Sequence, residues 1–364
     1  MIKFVDLRVQ YHSIKKEMDK AIFDVLESTT FILGKNVSSF EEEFSKFCRV
    51  KYCSGVNTGT SALHLALLAK GIGKGDEVIT AANTYIATCW AISYTGAIPK
   101  LVDIDPETYN IDPSKIESAI TKKTKAIIPV HLYGQPAPMD EIMKIAKKHN
   151  LIVIEDACQA HGAEYKGKSM PISGLGCFSF YPGKNLGAYG EGGAIVSNDK
   201  EVDELVRAYR DHGQTKKHVH KYLGFNYRLE EIQAAVLRVK LPHLPEWIGM
   251  RRKNAELYNE MLKDCDVVLP VESKESKHAY HLYVVRTKHR QKLMEHLSAR
   301  GIQTAIHYPI PIHLQEAYAH LGYKKGSFPI TEQCADEILS LPMYPELKEE
   351  EIAAVAKAIK EFSP

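Results

Sequence analysis

Leu151-Ile-Val-Ile-Glu-Asp-Ala-Cys-Gln-Ala-His161 decides the fold. Its opening run, Leu151 to Ile154, is apolar and mostly β-branched, so both faces of the segment suit burial. That is the pattern of a central parallel strand, over Leu151 to Glu155, rather than a half-solvated edge. The run ends in two carboxylates, Glu155 and Asp156. Open α/β sheets bind ligands beyond the carboxyl ends of their strands, so both acids fall where a ligand is expected.

Outward from this run the pattern alternates. Strands are expected at Tyr52 to Val56, Glu77 to Thr80, Ile98 to Val102 and Thr124 to Val130, with helices at Ser61 to Lys70, Ile86 to Tyr94, Pro113 to Ala119 and Met139 to His149 between them. Such alternation predicts a mostly parallel sheet with helices on both faces. Two amphipathic helices precede it, Ser13 to Ser28 and Ser38 to Phe47, and a short antiparallel pair, Cys177 to Tyr181 with Gly193 to Ser197, follows it. The character changes at Leu241-Pro-His-Leu-Pro245. We therefore expect a large α/β domain over residues 1–245 and a smaller α+β domain over 246–364, the latter with a charged helix at Glu246 to Lys263 and a strand at Ile302 to Ala305.

Lys184 stands in Ser179-Phe-Tyr-Pro-Gly-Lys-Asn-Leu-Gly187, among aromatics and glycines where an ammonium is poorly solvated. Desolvation lowers a lysine pKa and makes the amine a nucleophile. Pyridoxal phosphate requires a lysine for an imine, an acid beside the pyridine nitrogen and a phosphate cradle. Lys184 and Asp156 are the candidates for the first two.

The turn Asn57-Thr-Gly-Thr-Ser61 enters a helix, whose free N–H groups and dipole favour an anion. Thr60 and Ser61 would donate to a phosphate there, or one of them is an ordinary helix cap. Ser179 is another candidate phosphate contact, or a satisfied strand serine. Tyr85 follows a strand end and is placed to stack on a cofactor ring or to fill core. Gly183-Lys184 fails the P-loop spacing, since Phe178 stands at the glycine position and Asn185 follows the lysine. Gly187 to Gly193 opens no helix, so the dinucleotide fingerprint fails as well.

Composition narrows the class further. Lys plus Arg number 47 against 45 Asp plus Glu, which leaves no basic face for nucleic acid. The 7 cysteines are scattered with no Cys-x-x-Cys pair, as in a reduced, cytoplasmic protein. No apolar stretch approaches a membrane span. The histidines lack the His-Glu-x-x-His spacing, and no metal site is expected.

Taken in order, Gly59-Thr-Ser-Ala-Leu63, Glu155-Asp-Ala-Cys-Gln-Ala-His-Gly162, Ser179 to Gly187, Gly190-Glu-Gly-Gly-Ala194 and Gly224-Phe-Asn-Tyr-Arg-Leu229 resemble the DegT-type nucleotide-sugar aminotransferases over nearly the whole chain. The resemblance implies the pyridoxal-phosphate fold type I and a homodimer with active sites at the subunit interface. It implies that Lys184 forms the imine, Asp156 pairs with the pyridinium nitrogen and Gln159 contacts the cofactor near its ring hydroxyl. It also implies that Thr60, Ser61 and Ser179 hold the phosphate, with Asn226 reaching across from the other subunit, and that Tyr85 stacks on the ring.

Related dehydratases carry histidine in place of the lysine, so Lys184 favours transamination. Tyr181-Pro-Gly-Lys184 resembles the members that aminate C3 of dTDP-linked 3-keto-6-deoxyhexoses, whereas C4 members commonly read Ser-Phe-His. The expected partners are L-glutamate and a nucleotide-linked keto sugar, in a pathway to a deoxyamino sugar such as those of O-antigen or S-layer glycans. Tyr181, Lys217, His220, His307 and Tyr308 are candidate sugar-nucleotide contacts. C4 amination and dehydration are the alternatives within the family. A regulatory relative without turnover is the alternative outside catalysis, but it has no chemical need for both Lys184 and Asp156.

Overall fold

The computed structural model describes residues 1–363. Its sheet is built from β1 (Tyr52–Val56), β2 (Glu77–Ala81), β3 (Ile98–Val102), β4 (Thr124–Ile128), β5 (Ile152–Val153), β6 (Glu155–Asp156), β7 (Leu175–Ser179) and β8 (Gly193–Ser197). β3, β2, β4 and β5 lie side by side and all parallel. β6, β7, β8 and β1 form a second ladder in which β8 alone runs antiparallel to its neighbours.

The stretch 152–156 carries the sheet from one ladder to the other. Ile154, between β5 and β6, still donates its N–H to Ile127 at 3.1 Å, and Asp156 donates to Pro129 at 2.9 Å. The expected central strand is therefore present, in two pieces, with its acids at the carboxyl end. Its side chains alternate between the two faces. Val153 joins the core beneath the helix Lys35–Cys48, and Ile154 joins the core beneath the helix Gly59–Ala69. β7 alternates in the same way, with Leu175 and Cys177 on the second face and Phe178 on the first. Phe178 and Phe180 meet Phe44 edge-on, at 5.1 and 5.2 Å between ring centres.

The helix Leu244–Leu262 runs through two cores. Leu244 and Ile248 pack in the large apolar cluster, whereas Ala255, Tyr258 and Leu262 pack in a separate one with Tyr283, Leu293, Leu339 and Ile352. An antiparallel pair, Tyr283–Arg286 with Ile338–Leu341, and the helices Arg290–Ala299 and Glu349–Lys360 complete this second cluster. The strand expected at Ile302 to Ala305 does not form a ladder. Gln303 donates to Ile2 and Ala305 to Ser340, so its backbone divides between two partners. The N-terminal segment is thereby tied to the second cluster, and Met343 donates to Phe4 at 3.3 Å. The first expected helix is also divided, into Leu7–Ser13 and Lys15–Ser28, where Ile14 leaves helical geometry. Among the described residues no helix is long and apolar enough to cross a membrane.

Candidate active site

Asp156 ends β6 with only 5% of its surface exposed, so its carboxylate needs local donors. Thr88 Oγ1 supplies one to Oδ2 at 2.8 Å, and the Cys158 N–H supplies another to Oδ1 at 3.2 Å. Thr88 in turn is hydrogen-bonded to Thr84 at 2.7 Å. The acid is fixed in direction before any ligand arrives.

Lys184 lies on the connection between β7 and β8. Its N–H donates to Tyr181 at 2.9 Å and Ala188 donates to Phe180 at 2.8 Å, so the connection folds back on itself. A Cβ at Gly187 would stand 2.3 Å from the Pro182 carbonyl oxygen, and only glycine permits that approach. Burial pushes the Lys184 ammonium below the ordinary lysine range, with Cys158 and Asp156 opposing the shift. A larger neutral fraction at neutral pH suits an amine that must attack carbon or carry a proton.

Lys184 and Asp156 open onto one cavity of about 780 Å³, with Gly59, Thr60, Tyr85 and Ser179 on its wall. Gln159, Tyr181, His307 and Tyr308 line it too. Gln159 accepts from the Tyr133 N–H at 2.7 Å and donates to the Tyr308 hydroxyl at 3.2 Å. The Tyr85 and Tyr308 rings lie 5.2 Å apart, and Tyr85 is half exposed to the opening. His307 is bonded to Ser340 Oγ at 2.9 Å and stacks on Phe4 at 5.7 Å. Burial pushes its pKa down to about 4, so its ring is neutral at pH 7.

The remaining residues singled out in the sequence lie elsewhere. The Ser61 hydroxyl is taken up by Asn57 at 2.7 Å and Thr58 at 2.9 Å, within the cap of the helix Gly59–Ala69. Thr58 is the capping residue. Lys217 and His220 are exposed on the hairpin of Gln214–Lys216 and Val219–His220, and Asn226 is exposed on the segment after it. None of the four lines this chain's cavity.

Sequence reasoning missed Thr88, Cys158, His281 and the segment Phe4 to Leu7, all close to the reacting region. Thr88 lies in the first turn of the helix Ile86–Tyr94 and Thr84 just before its cap, but their target is distant in sequence. His161 packs against Phe178 and Phe180, and among the described residues neither of its ring nitrogens has a hydrogen-bond partner. Burial pushes its pKa down to about 3.

The family described as DegT/DnrJ/EryC1/StrS aminotransferase matches residues 12–360. The chain belongs to this family. It is 48% identical over 363 residues to the dTDP-3-amino-3,6-dideoxy-alpha-D-galactopyranose transaminase of Aneurinibacillus thermoaerophilus, covering 100% of this chain and 99% of the relative. It is 48% identical over 365 residues to a protein of Geobacillus stearothermophilus named pleiotropic regulatory protein, covering 99% and 98%. Among solved structures it superposes on S. venezuelae DesV in complex with a ketimine intermediate, with a TM-score of 0.97, 44% identity and coverage of 99% and 98%. The mostly parallel sheet, with Asp156 and Lys184 on one cavity, is thus the fold of a DegT-type aminotransferase.

Proposed function

We propose that this chain is a pyridoxal-phosphate-dependent aminotransferase that moves the amino group of L-glutamate to C3 of a dTDP-linked 3-keto-6-deoxyhexose. One observation carries the reading: a lysine held below its ordinary range by burial and a pre-oriented carboxylate share one cavity, in a chain 48% identical over its length to a dTDP-3-amino sugar transaminase.

The residues fit the cofactor. Asp156, held by Thr88, would lie against the pyridine nitrogen. The first N–H groups of the helix Gly59–Ala69 have no intrahelical acceptor and lie beside Ser179, where a Cβ on Gly59 would come within 2.6 Å. Thr60 and Ser179 supply hydroxyls to the phosphate at that point. Ser61 acts there through the cap, by holding the turn. Tyr85 covers the ring and Gln159 contacts its hydroxyl edge. Bound pyridoxal phosphate supplies an electron sink for negative charge developing at the amino-acid α-carbon.

The chain's own part is positioning and proton transfer. Lys184 would take the α-proton as general base and deliver it as general acid to C4′ of the cofactor, and its lowered pKa suits both roles. Asp156 keeps the pyridine nitrogen protonated. Tyr181, His307 and Tyr308 surround the sugar, and the neutral His307 ring accepts or donates without adding charge. Lys217 and His220 meet the diphosphate, and Asn226 the cofactor phosphate, from the second subunit of a homodimer. Their exposure on one chain supports that assignment. The division at residue 245 is supported by the helix Leu244–Leu262, along which packing passes from one core to the other. Seven unpaired cysteines support a reducing, cytoplasmic location, and the balanced charge supports a surface without a nucleic-acid partner.

Incubation with L-glutamate and paired 3-keto and 4-keto dTDP-6-deoxyhexoses, with the new amine located by NMR, tests the reading. Amine at C3 with release of 2-oxoglutarate is expected. Amine only at C4, or ammonia with a deoxygenated sugar, overturns it.

A further inference from the structure

We propose that the helix Glu231–Lys240 is a clamp on the Lys184 loop, with Lys240 as its positioning residue. Lys240 is 1% exposed, although lysine is almost never fully buried unless paired. Its ammonium donates to the Gly187 carbonyl at 2.8 Å and sits 4.3 Å from the centre of the Tyr189 ring. One face of the helix makes a second hold, because residues seven apart return to the same side after two turns. Gln233 Oε1 accepts the Tyr189 N–H at 3.0 Å, and its amide fills the space beside Gly190. Within the loop, Asn185 Nδ2 donates to the Ala279 carbonyl at 2.9 Å. The loop is therefore gripped at residues 185, 187 and 189, and Lys184 projects into the cavity next to the first of these.

The hold at Gly187 is transmitted to Lys184 by packing. Gly187 rests directly on the Pro182 carbonyl, so displacement of one moves the other, and Pro182 precedes Lys184 by two residues. A buried carbonyl also requires a donor, and no other donor to Gly187 is present among the described residues. Burial pushes the Lys240 ammonium down to about 7, with Glu346 the carboxylate that opposes the shift. Charged or neutral, the amine retains an N–H for the carbonyl, so the hold does not depend on its protonation state.

The clamp's relevance to turnover rests on the function proposed above, but the hold itself is measurable without cofactor. Lys240→Met keeps the hydrocarbon and removes the donor, whereas Lys240→Gln keeps an N–H. Hydrogen exchange in the unloaded protein should speed up by about tenfold or more in the peptide 181–190 of Lys240→Met, with peptides of the second core unchanged, since the buried Gly187 carbonyl loses its donor. In the loaded protein, conversion by saturating L-glutamate should slow by about tenfold with KM within about twofold, and Lys240→Gln should recover most of both losses. Exchange at the wild-type rate in Lys240→Met overturns the clamp. So does faster exchange with undiminished conversion, which would make the contact structural only. If the wild type itself ignores L-glutamate while exchange still rises, the clamp stands and the functional reading falls. Should Lys240→Met fail to fold, Gln233→Met, which releases the Tyr189 N–H, gives the same readout.

Discussion

Thr88 donates its hydroxyl to Asp156 at 2.8 Å across 68 positions of sequence, joining the helix Ile86–Tyr94 to the carboxyl end of the central strand. Among the described residues Asp156 has one other donor, the Cys158 N–H, so the threonine largely sets the direction of the carboxylate. Thr88→Val keeps the shape and removes the hydroxyl. Loss of a hydrogen bond to a buried charge, worth roughly 1.5–3 kcal/mol, should lower turnover about 10- to 100-fold. Thr88→Ser should remain near wild type. Equal turnover in the valine variant would show that Asp156 does not need the bond.

Lys184→Ala should bind the cofactor without a covalent link and lose turnover. Borohydride treatment followed by mass spectrometry should locate cofactor on the peptide 181–190 of the wild type and on no peptide of the variant. Full transamination by Lys184→Ala would remove the lysine from the chemistry.

Acid should weaken the fold through histidines buried in neutral form. Burial pushes both His161 and His278 to about 3. Against an unfolded value of about 6.5, their contribution is complete above that pH and is lost as pH falls toward the folded values, because the unfolded chain takes up protons that the folded chain refuses. The two together cost at most on the order of 4 kcal/mol between pH 6.5 and 5. Urea midpoints of the unloaded protein at pH 7 and pH 5 measure the loss. His161→Phe, set against Phe178 and Phe180, should show a smaller drop, and an equal drop would mean that His161 does not titrate this way.

A homodimer with shared sites should show complementation. Lys184→Ala and Asn226→Ala are each expected to be weak alone. In a mixed dimer one site combines the intact Lys184 of one chain with the intact Asn226 of its partner, so co-refolding should restore activity. Light scattering should give twice the chain mass of 40.9 kDa. No recovery on mixing would confine Asn226 to its own chain.

Much of this was legible in the sequence because it is local. The apolar run ending in Asp156 and the glycine-rich loop around Lys184 carry their environments with them, and strand-helix alternation fixes which end of the sheet they share. Ser61 was harder to read, since a cap can point either hydroxyl at a ligand or back into the turn, and Asn57 claims this one. The strand expected at Ile302 to Ala305 has suitable residues, but its partners were the N-terminal segment and Ser340, which no local pattern reveals. Nothing in the residues around Lys240 marks it as buried. Its burial depends on a carbonyl 53 positions away.

The docking of Phe4 has a consequence for how the protein is made. Phe4, Val5 and Leu7 wall the cavity, yet Ile2 rests on Gly301, Phe4 stacks on His307, and Met343 closes over Phe4. On a ribosome adding 5–20 residues per second, the start of the chain waits roughly 15–60 s for these supports. The cavity is therefore completed only after residue 301 has been added, and a nascent chain arrested before it carries Lys184 and Asp156 without the wall that encloses them.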